Sequence, residues 1–150
     1  MESIRDLMAA DHRLCDDRFV AVERAVARSA WSDADAEFDR LRGAMLRHFD
    51  AEEAILFPAF EARTGMSMGP TRVMRGEHEQ MRELLATAKA ALDARDADDY
   101  SGTAETLLIM MQQHNMKEEN VLYPMCDQQL AAQLATLLAQ LENGISGAMK

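Results

Sequence analysis

The sequence predicts an all-α protein, an antiparallel up-down-up-down four-helix bundle followed by a short fifth helix at the C-terminus. Four stretches carry apolar residues at alternating steps of three and four, as helices with one buried stripe do. No stretch combines period-two alternation with turn residues, so the sequence gives no case for strands. Only three prolines and seven glycines interrupt the chain, which favours long regular helices.

Each of the four bundle helices follows from one apolar stripe. In chain order the stripes run from Ile4 to Val26, Phe38 to Ala59, Met74 to Leu92 and Ala104 to Met125. The predicted connections are a break at residues 30–32, a loop from Arg63 to Pro70 and an acidic stretch from Asp93 to Tyr100. Ser32, with Asp35 three residues on, resembles a helix-capping arrangement after the first break.

Three further features concern the helix ends. Pro58 and Pro124 are expected to end or kink the second and fourth helices. Residues Asp127 to Asn143 form another amphipathic stretch without histidine, which predicts the short fifth helix. Gly144 is the predicted stop of that helix.

Length, charge and cysteine usage limit the function. The 150 residues predict one domain over residues 1–150, and the net charge of −10 argues against nucleic acid or an anionic membrane as partner. No apolar run approaches the roughly 18 residues of a membrane span, and the first residues lack the pattern of a signal peptide. Cys15 and Cys126 form no C-x-x-C pair and are expected to be free thiols. A cytoplasmic protein is therefore expected.

An internal repeat contains all four histidines of the chain. A shift of 66 residues superposes four pairs: His12 on His78, His48 on His114, Glu52 on Glu118, and Pro58 on Pro124. The repeated core reads H-x3-E-E-x2-L-[FY]-P and begins at His48 and again at His114. The repeat predicts two similar helical hairpins that contribute equivalent polar residues.

The polar residues of the repeat lie where the stripes demand apolar side chains: His12, His48, Glu52, His78, His114 and Glu118. A buried carboxylate costs several kcal/mol unless it is paired or bound to a metal. We therefore predict a pair of metal ions, one held by His12 and His48 and the other by His78 and His114. Glu52 and Glu118 would bridge both ions, with an oxide or hydroxide completing the bridge. Imidazole and carboxylate ligands favour two iron ions, suit manganese also, and argue against structural zinc.

Several residues next to this set allow two interpretations. A lone histidine on an apolar stripe is more often a hydrogen-bonded core residue, but four equivalent ones favour a metal. Glu53 and Glu119 are either solvated or supporting residues behind the histidines. Cys15 is interpreted as a small core residue rather than a reactive thiol. Methionines recur one turn before each histidine: Met8, Met45, Met74 and Met111. We expect them to be core residues, as methionine stripes usually are, which would also form the apolar lining of any small-ligand pocket over the metals.

With this motif set the chain resembles the hemerythrin-like (HHE cation-binding) family over roughly residues 4 to 126. The resemblance rests on the ordered pattern H…H-x3-E…H…H-x3-E. It implies an antiparallel four-helix bundle with a non-haem di-iron centre that meets dioxygen, nitric oxide or peroxide.

The chain departs from the dioxygen carriers of that family. The carriers have a fifth histidine, in an H-x3-H pair on the third helix, whereas the residues four positions either side of His78 in this chain are Met74 and Arg82. The carriers also have His-x4-Asp on the fourth helix, whereas this chain has His114-x3-Glu118. Two histidines per iron would leave both ions open, which favours binding or reducing nitric oxide or peroxide over reversible dioxygen carriage. The alternatives are an oxygen- or iron-sensing module without catalysis and a di-iron protein of iron–sulfur cluster repair.

Overall fold

The computed structural model describes residues 2–147, which form five helical rods and, within that range, no strand. Seven α-helical segments make up these rods: α1 (Ile4–Ala27), α2 (Trp31–Ala51), α3 (Phe57–Thr64), α4 (Pro70–Asp93), α5 (Ala97–Lys117), α6 (Tyr123–Gln129) and α7 (Leu134–Ser146). Two π-helical turns, Glu52–Leu56 and Glu118–Leu122, join α2 to α3 and α5 to α6. The predicted bundle with a short C-terminal helix is confirmed.

The two π turns occupy equivalent places in the repeat, directly before the prolines. Proline lacks an N–H, and its ring collides with the carbonyl four residues earlier, so an α-helical ladder cannot continue unchanged through Pro58 or Pro124. The chain widens instead, and the N–H groups of Phe57 and Tyr123 bond to the carbonyls five residues earlier, those of Glu52 and Glu118. Each proline therefore follows a π turn, and the helical rod continues beyond the proline as α3 or α6.

The pseudo-symmetry extends to the turns within the two hairpins α1–α2 and α4–α5. Ser29 and Arg95 are 66 residues apart and both adopt left-handed backbone conformations, with φ of 57° and 55°. The next residue of each turn donates its N–H to a helix carbonyl five residues back, Ala30 to Ala25 and Asp96 to Ala91. The connection predicted from Asp93 to Tyr100 is shorter than expected, because Asp96 caps α5 and its side chain accepts from the Asp99 N–H.

The core consists of two apolar clusters separated by a polar layer. The first cluster extends from Cys15 to Val26 on α1 and includes the facing parts of α2, α4 and α5. The second surrounds Phe57, Phe60 and Tyr123 and is covered by Leu137 and Leu141 of α7. The six predicted polar residues lie between the two clusters and are at most 4% exposed.

The C-terminal helix differs from the expectation in its bounds. It begins at Leu134, after a single 3-10 turn, and ends at Ser146, with Gly147 in the left-handed conformation that ends helices. Gly144 is not the stop. It lies inside α7, where an added Cβ would be 3.2 Å from Cβ of Ala51, so it allows α7 to pack closely on α2.

Two other local features concern helix starts and membranes. Ser32 does not cap α2, which begins at Trp31 without a side-chain cap. The N-terminus of α1 is capped by the side chain of Ser3, and the Asp127 carboxylate from across the fold also accepts from the N–H groups of Ile4 and Arg5 at 2.8 and 3.2 Å. None of the described helices is long and apolar enough to cross a membrane.

Candidate metal centre

The structure brings all six predicted residues into one group, here called the inner cluster (His12, His48, Glu52, His78, His114 and Glu118). Each of the four bundle rods supplies one histidine, and each π turn begins with one of the glutamates. Ligand atoms of Glu52, His78, His114 and Glu118 all lie within 4.8 Å of one another, and so do those of His12, His48 and Glu118. We call the parts around the two histidine pairs the 12/48 half and the 78/114 half.

Both glutamates reach histidines of the two halves. Oε1 of Glu52 is 3.0 Å from Nε2 of His78, and its Oε2 is 3.5 Å from Nε2 of His48. Oε1 of Glu118 is 3.1 Å from Nε2 of His12 and 3.3 Å from Nε2 of His114. Each glutamate is therefore within 3.5 Å of one histidine in each half.

Four atoms of the inner cluster are buried without a hydrogen bond among the described residues: Oε1 of Glu52, Nε2 of His78, Nε2 of His114 and Oε2 of Glu118. Buried polar atoms in folded proteins are nearly always satisfied, so four orphans in one place need an explanation. Nε2 of His78 faces Oε1 of Glu52 at 3.0 Å without bonding to it. If the proton of a neutral His78 is on Nδ1, two lone pairs face each other at that distance and repel. A metal cation between them, or a proton on Nε2 in the metal-free protein, removes the repulsion. The donor set therefore fits a metal.

A ring of four carboxylates lies behind the histidines, here called the outer carboxylates (Asp11, Glu53, Glu77 and Glu119). Each accepts a hydrogen bond from Nδ1 of one histidine: Glu119 from His12 at 2.7 Å, Asp11 from His48 at 2.7 Å, Glu53 from His78 at 2.6 Å and Glu77 from His114 at 2.8 Å. A proton held on Nδ1 leaves the Nε2 lone pair directed into the cluster. Histidines that bind metals through Nε2 are oriented in this way.

The outer carboxylates follow the pseudo-symmetry but differ in their further partners. Glu53 forms a two-pronged pair with the Arg82 guanidinium at 3.0 Å for each contact, and Glu77 contacts the Lys117 ammonium. Within residues 2–147, no lysine or arginine forms an ion pair with Asp11 or Glu119. Six inner and outer carboxylates thus meet two basic side chains, a charge imbalance that bound cations would correct.

Tyr123 also contacts the inner cluster, although the sequence analysis gave it no role in the site. Its hydroxyl donates to Oε2 of Glu52 at 2.6 Å or to Oε1 of Glu118 at 2.8 Å, and lies 3.2 Å from Nε2 of both His12 and His48. The equivalent residue in the first repeat is Phe57, whose ring stacks on His78 with centroids 5.7 Å apart. The hydroxyl therefore belongs to the 12/48 half alone, and the two halves are less alike than the repeat predicts.

The electrostatics follow from burial and the neighbouring charges. Burial lowers the pKa of His114, but the Glu118 carboxylate outweighs it and raises the pKa to about 9. Burial likewise opposes protonation of His48, yet Glu52 and Asp11 raise its pKa well above the usual range. Burial raises the pKa of Glu53, and hydrogen bonds from His78 and Arg82 overcome this and lower it to about 2. The neighbouring carboxylates raise the pKa of His78 as well, so without metal, protons on His48, His78 and His114 balance the buried carboxylates.

The methionines and Cys15 are the remaining residues that the sequence analysis interpreted. Met45 and Met111 line a small cavity beside the 12/48 half, whereas Met8 and Met74 belong to the second apolar cluster. All four are buried in the core, as predicted, and two of the four also line the cavity. Cys15 is a buried core residue, and burial raises its thiol pKa to about 11.

Some of the missed residues had a signal in the sequence. An acidic residue directly precedes His12 and His78, and these two residues, Asp11 and Glu77, turn out to hold the histidines of the neighbouring helices. Glu53 and Glu119 are supporting residues, and they are only 24% and 28% exposed rather than solvated. Nothing in the α-helical periodicity indicated Tyr123, because a π turn places it on the face of Glu118.

An antiparallel helical bundle with a buried histidine and carboxylate cluster defines a metal-binding helical protein. The Hemerythrin HHE cation binding domain model matches residues 3–126. The chain belongs to this family. No significant match to the chain was found among curated proteins or solved structures.

Proposed function

We propose that this protein holds two iron ions in the inner cluster and binds or reduces a small ligand there: dioxygen, nitric oxide or peroxide. His12 and His48 would hold one ion, His78 and His114 the other, and Glu52 and Glu118 would bridge them. The four orphaned buried atoms are the observation that carries this proposal. The nitrogen and oxygen donor set supports iron, with manganese as the other ion that it suits.

The chemistry of such a centre divides between the ions and the chain. Two iron ions, held by the inner cluster, would supply redox equivalents to a ligand. The chain supplies the outer carboxylates, which hold each imidazole in one orientation. It also supplies the two apolar clusters, which exclude water from the layer between them.

The position of Tyr123 favours reduction over plain binding. Its hydroxyl is 3.2 Å from Nε2 of both histidines of the 12/48 half, so it is placed to donate a hydrogen bond or a proton to a ligand there. Reduction of peroxide consumes protons, and general acid donors contribute typically about 10²- to 10⁴-fold to such steps. Peroxide is therefore the ligand that this half suits best. Binding without turnover, as in a sensor, is the second candidate.

The deciding experiment combines metal analysis with turnover. We expect about two irons per chain after anaerobic loading with ferrous iron. Each ferrous pair should supply the two electrons that reduce one hydrogen peroxide to water, and with ascorbate added as the reductant, peroxide should be consumed at a rate proportional to bound iron. The matched control is the double variant Glu52→Ala, Glu118→Ala, which should hold no iron pair. A wild-type chain that binds no metal would refute the proposal, and two bound irons without turnover of peroxide or nitric oxide would favour the sensor.

A further inference from the structure

A surface groove and an inner cavity meet at two residues beside the 12/48 half. The groove lies between α1 and α5, has a volume of about 550 Å³ and is lined in part by His12, Asp16, Asn115 and Glu119. The inner cavity is also lined by His12 and Asn115, together with Cys15 and other residues of the first apolar cluster. His12 and Asn115 therefore form the wall between the solvent-filled groove and the cavity.

The cavity has the size of a very small ligand. About 10 Å³ is open to the centre of a water molecule, close to the minimum that one water needs. His48 shares its lining with Met45 and Met111, so the space is apolar except where it meets the histidines and Asn115. A molecule that enters this cavity lies beside both histidines of the 12/48 half.

On the opposite side of the bundle, between α2 and α4, the positions equivalent to the groove are closed. The counterpart of Asn115, 66 residues earlier, is Phe49, whose ring stacks on His78 with centroids 4.2 Å apart and 19° between planes. The counterpart of Asp16 is Arg82, whose guanidinium lies 5.5 Å over the Phe49 ring and pairs with Glu53. An aromatic ring and a paired arginine thus fill the α2–α4 side, where the α1–α5 side has an amide and a carboxylate.

We propose that Asn115 is the gate through which small ligands pass from the α1–α5 groove to the cavity beside His12 and His48. This inference rests on the proposed function for the identity of the ligand. The Asn115 side chain is partly exposed, and within residues 2–147 it forms no hydrogen bond, so its rotation breaks none of those described. The other shared wall residue, His12, is held by Glu119 at 2.7 Å and cannot rotate without losing that bond.

The first test measures how azide reaches the iron-loaded ferric protein by stopped-flow absorbance. Asn115→Ala should raise the association and dissociation rate constants together by about tenfold, within the range that changes at one site produce. Asn115→Phe, which copies Phe49, should lower the association rate constant by about tenfold. Gln113→Phe adds the same ring to an exposed position of α5 outside the groove and is the matched control. Association rate constants within twofold of wild type for both Asn115 variants would overturn the gate.

The second test needs no metal. Cys15 lines the cavity behind the gate, whereas Cys126 is buried in the second apolar cluster. In the metal-free protein, methyl methanethiosulfonate should modify Cys15 faster in Asn115→Ala and more slowly in Asn115→Phe. Peptide mass spectrometry reports the two cysteines separately, so Cys126 serves as an internal control for global unfolding.

The two tests separate the gate from the proposed function. Azide that fails to bind the wild-type protein would count against an open di-iron centre, while the Cys15 rates would still decide on the gate. Cys15 rates that follow the Asn115 substitutions at constant Cys126 rates support it. Parallel changes at both cysteines, or no change at either, overturn it.

Discussion

Tyr123 donates a hydrogen bond to Glu118, five residues before it, over 2.8 Å. In an α-helix, residues five apart point about 140° away from each other, at 100° per residue. The π turn Glu118–Leu122 places them on one face, and the same turn occurs in the first repeat, where Phe57 has no hydroxyl. The π turn that precedes Pro124 therefore brings the Tyr123 hydroxyl into the site.

Replacing Tyr123 by phenylalanine should separate ligand reduction from metal binding. Tyr123→Phe copies Phe57, so we expect about two irons per chain, with peroxide reduction slowed by about 10²-fold through loss of the acid donor. Iron content and steady-state peroxide consumption provide the measurement. Tyr100→Phe, a buried change in the first apolar cluster, is the control. An unchanged rate of peroxide reduction in Tyr123→Phe would show that the hydroxyl takes no part in the reaction.

The bridging glutamates should matter more to the metal pair than a single histidine does. Glu52→Ala or Glu118→Ala removes a contact to both halves, so either should abolish the paired centre and its absorption. His12→Ala removes a ligand of one ion only and should leave a partly occupied or one-iron form. Iron analysis with visible absorption and Mössbauer spectra distinguishes these states. Two coupled irons in Glu52→Ala with an unchanged spectrum would show that the bridging assignment is wrong.

The outer carboxylates should tune metal affinity without being ligands. Glu53→Gln keeps the shape of the side chain but weakens the acceptor for Nδ1 of His78, and we expect metal affinity to fall about 10- to 100-fold. Competition with a chelator measures it. Glu79→Gln is a close control, since Glu79 is 71% exposed and contacts the same arginine, Arg82, at 2.6 Å. Equal losses in both variants would point to Arg82 rather than to His78.

The metal-free protein should lose stability as the pH rises. The pKa of His114 is raised from 6.5 to about 9 by Glu118 against the effect of burial. The stabilisation from its charged form is therefore complete below pH 6.5 and lost as the pH rises through about 9. Urea unfolding of the metal-free protein over this range should show a falling free energy of unfolding.

The loaded protein and one variant provide the comparison for that experiment. Histidines bound to metal stay neutral, so the advantage of the loaded over the metal-free form should widen with rising pH. Glu118→Gln removes the carboxylate that raises the pKa of His114 and should flatten the decline in the metal-free protein. A metal-free protein whose stability increases over this range would contradict the argument.

The sequence by itself determined the helical bundle and the inner cluster. Both follow from periodicity, because an α-helix repeats every 3.6 residues and a residue type at a given step therefore faces a known direction. His48 and Glu52 are four apart and share a face for that reason. The repeat supported this prediction, because the same polar residue types recur at equivalent positions in both halves of the chain.

Only the tertiary structure decided how the two halves differ. Asp11 and Glu77 serve histidines on neighbouring helices, so no spacing along their own helix indicates the contact. The expectation that Pro124 ends or kinks its helix gave no indication of the π turn that turns Tyr123 inward. The contrast between Phe49 and Asn115 becomes meaningful only when helices pack, because a side chain closes or opens a groove according to what lies across from it.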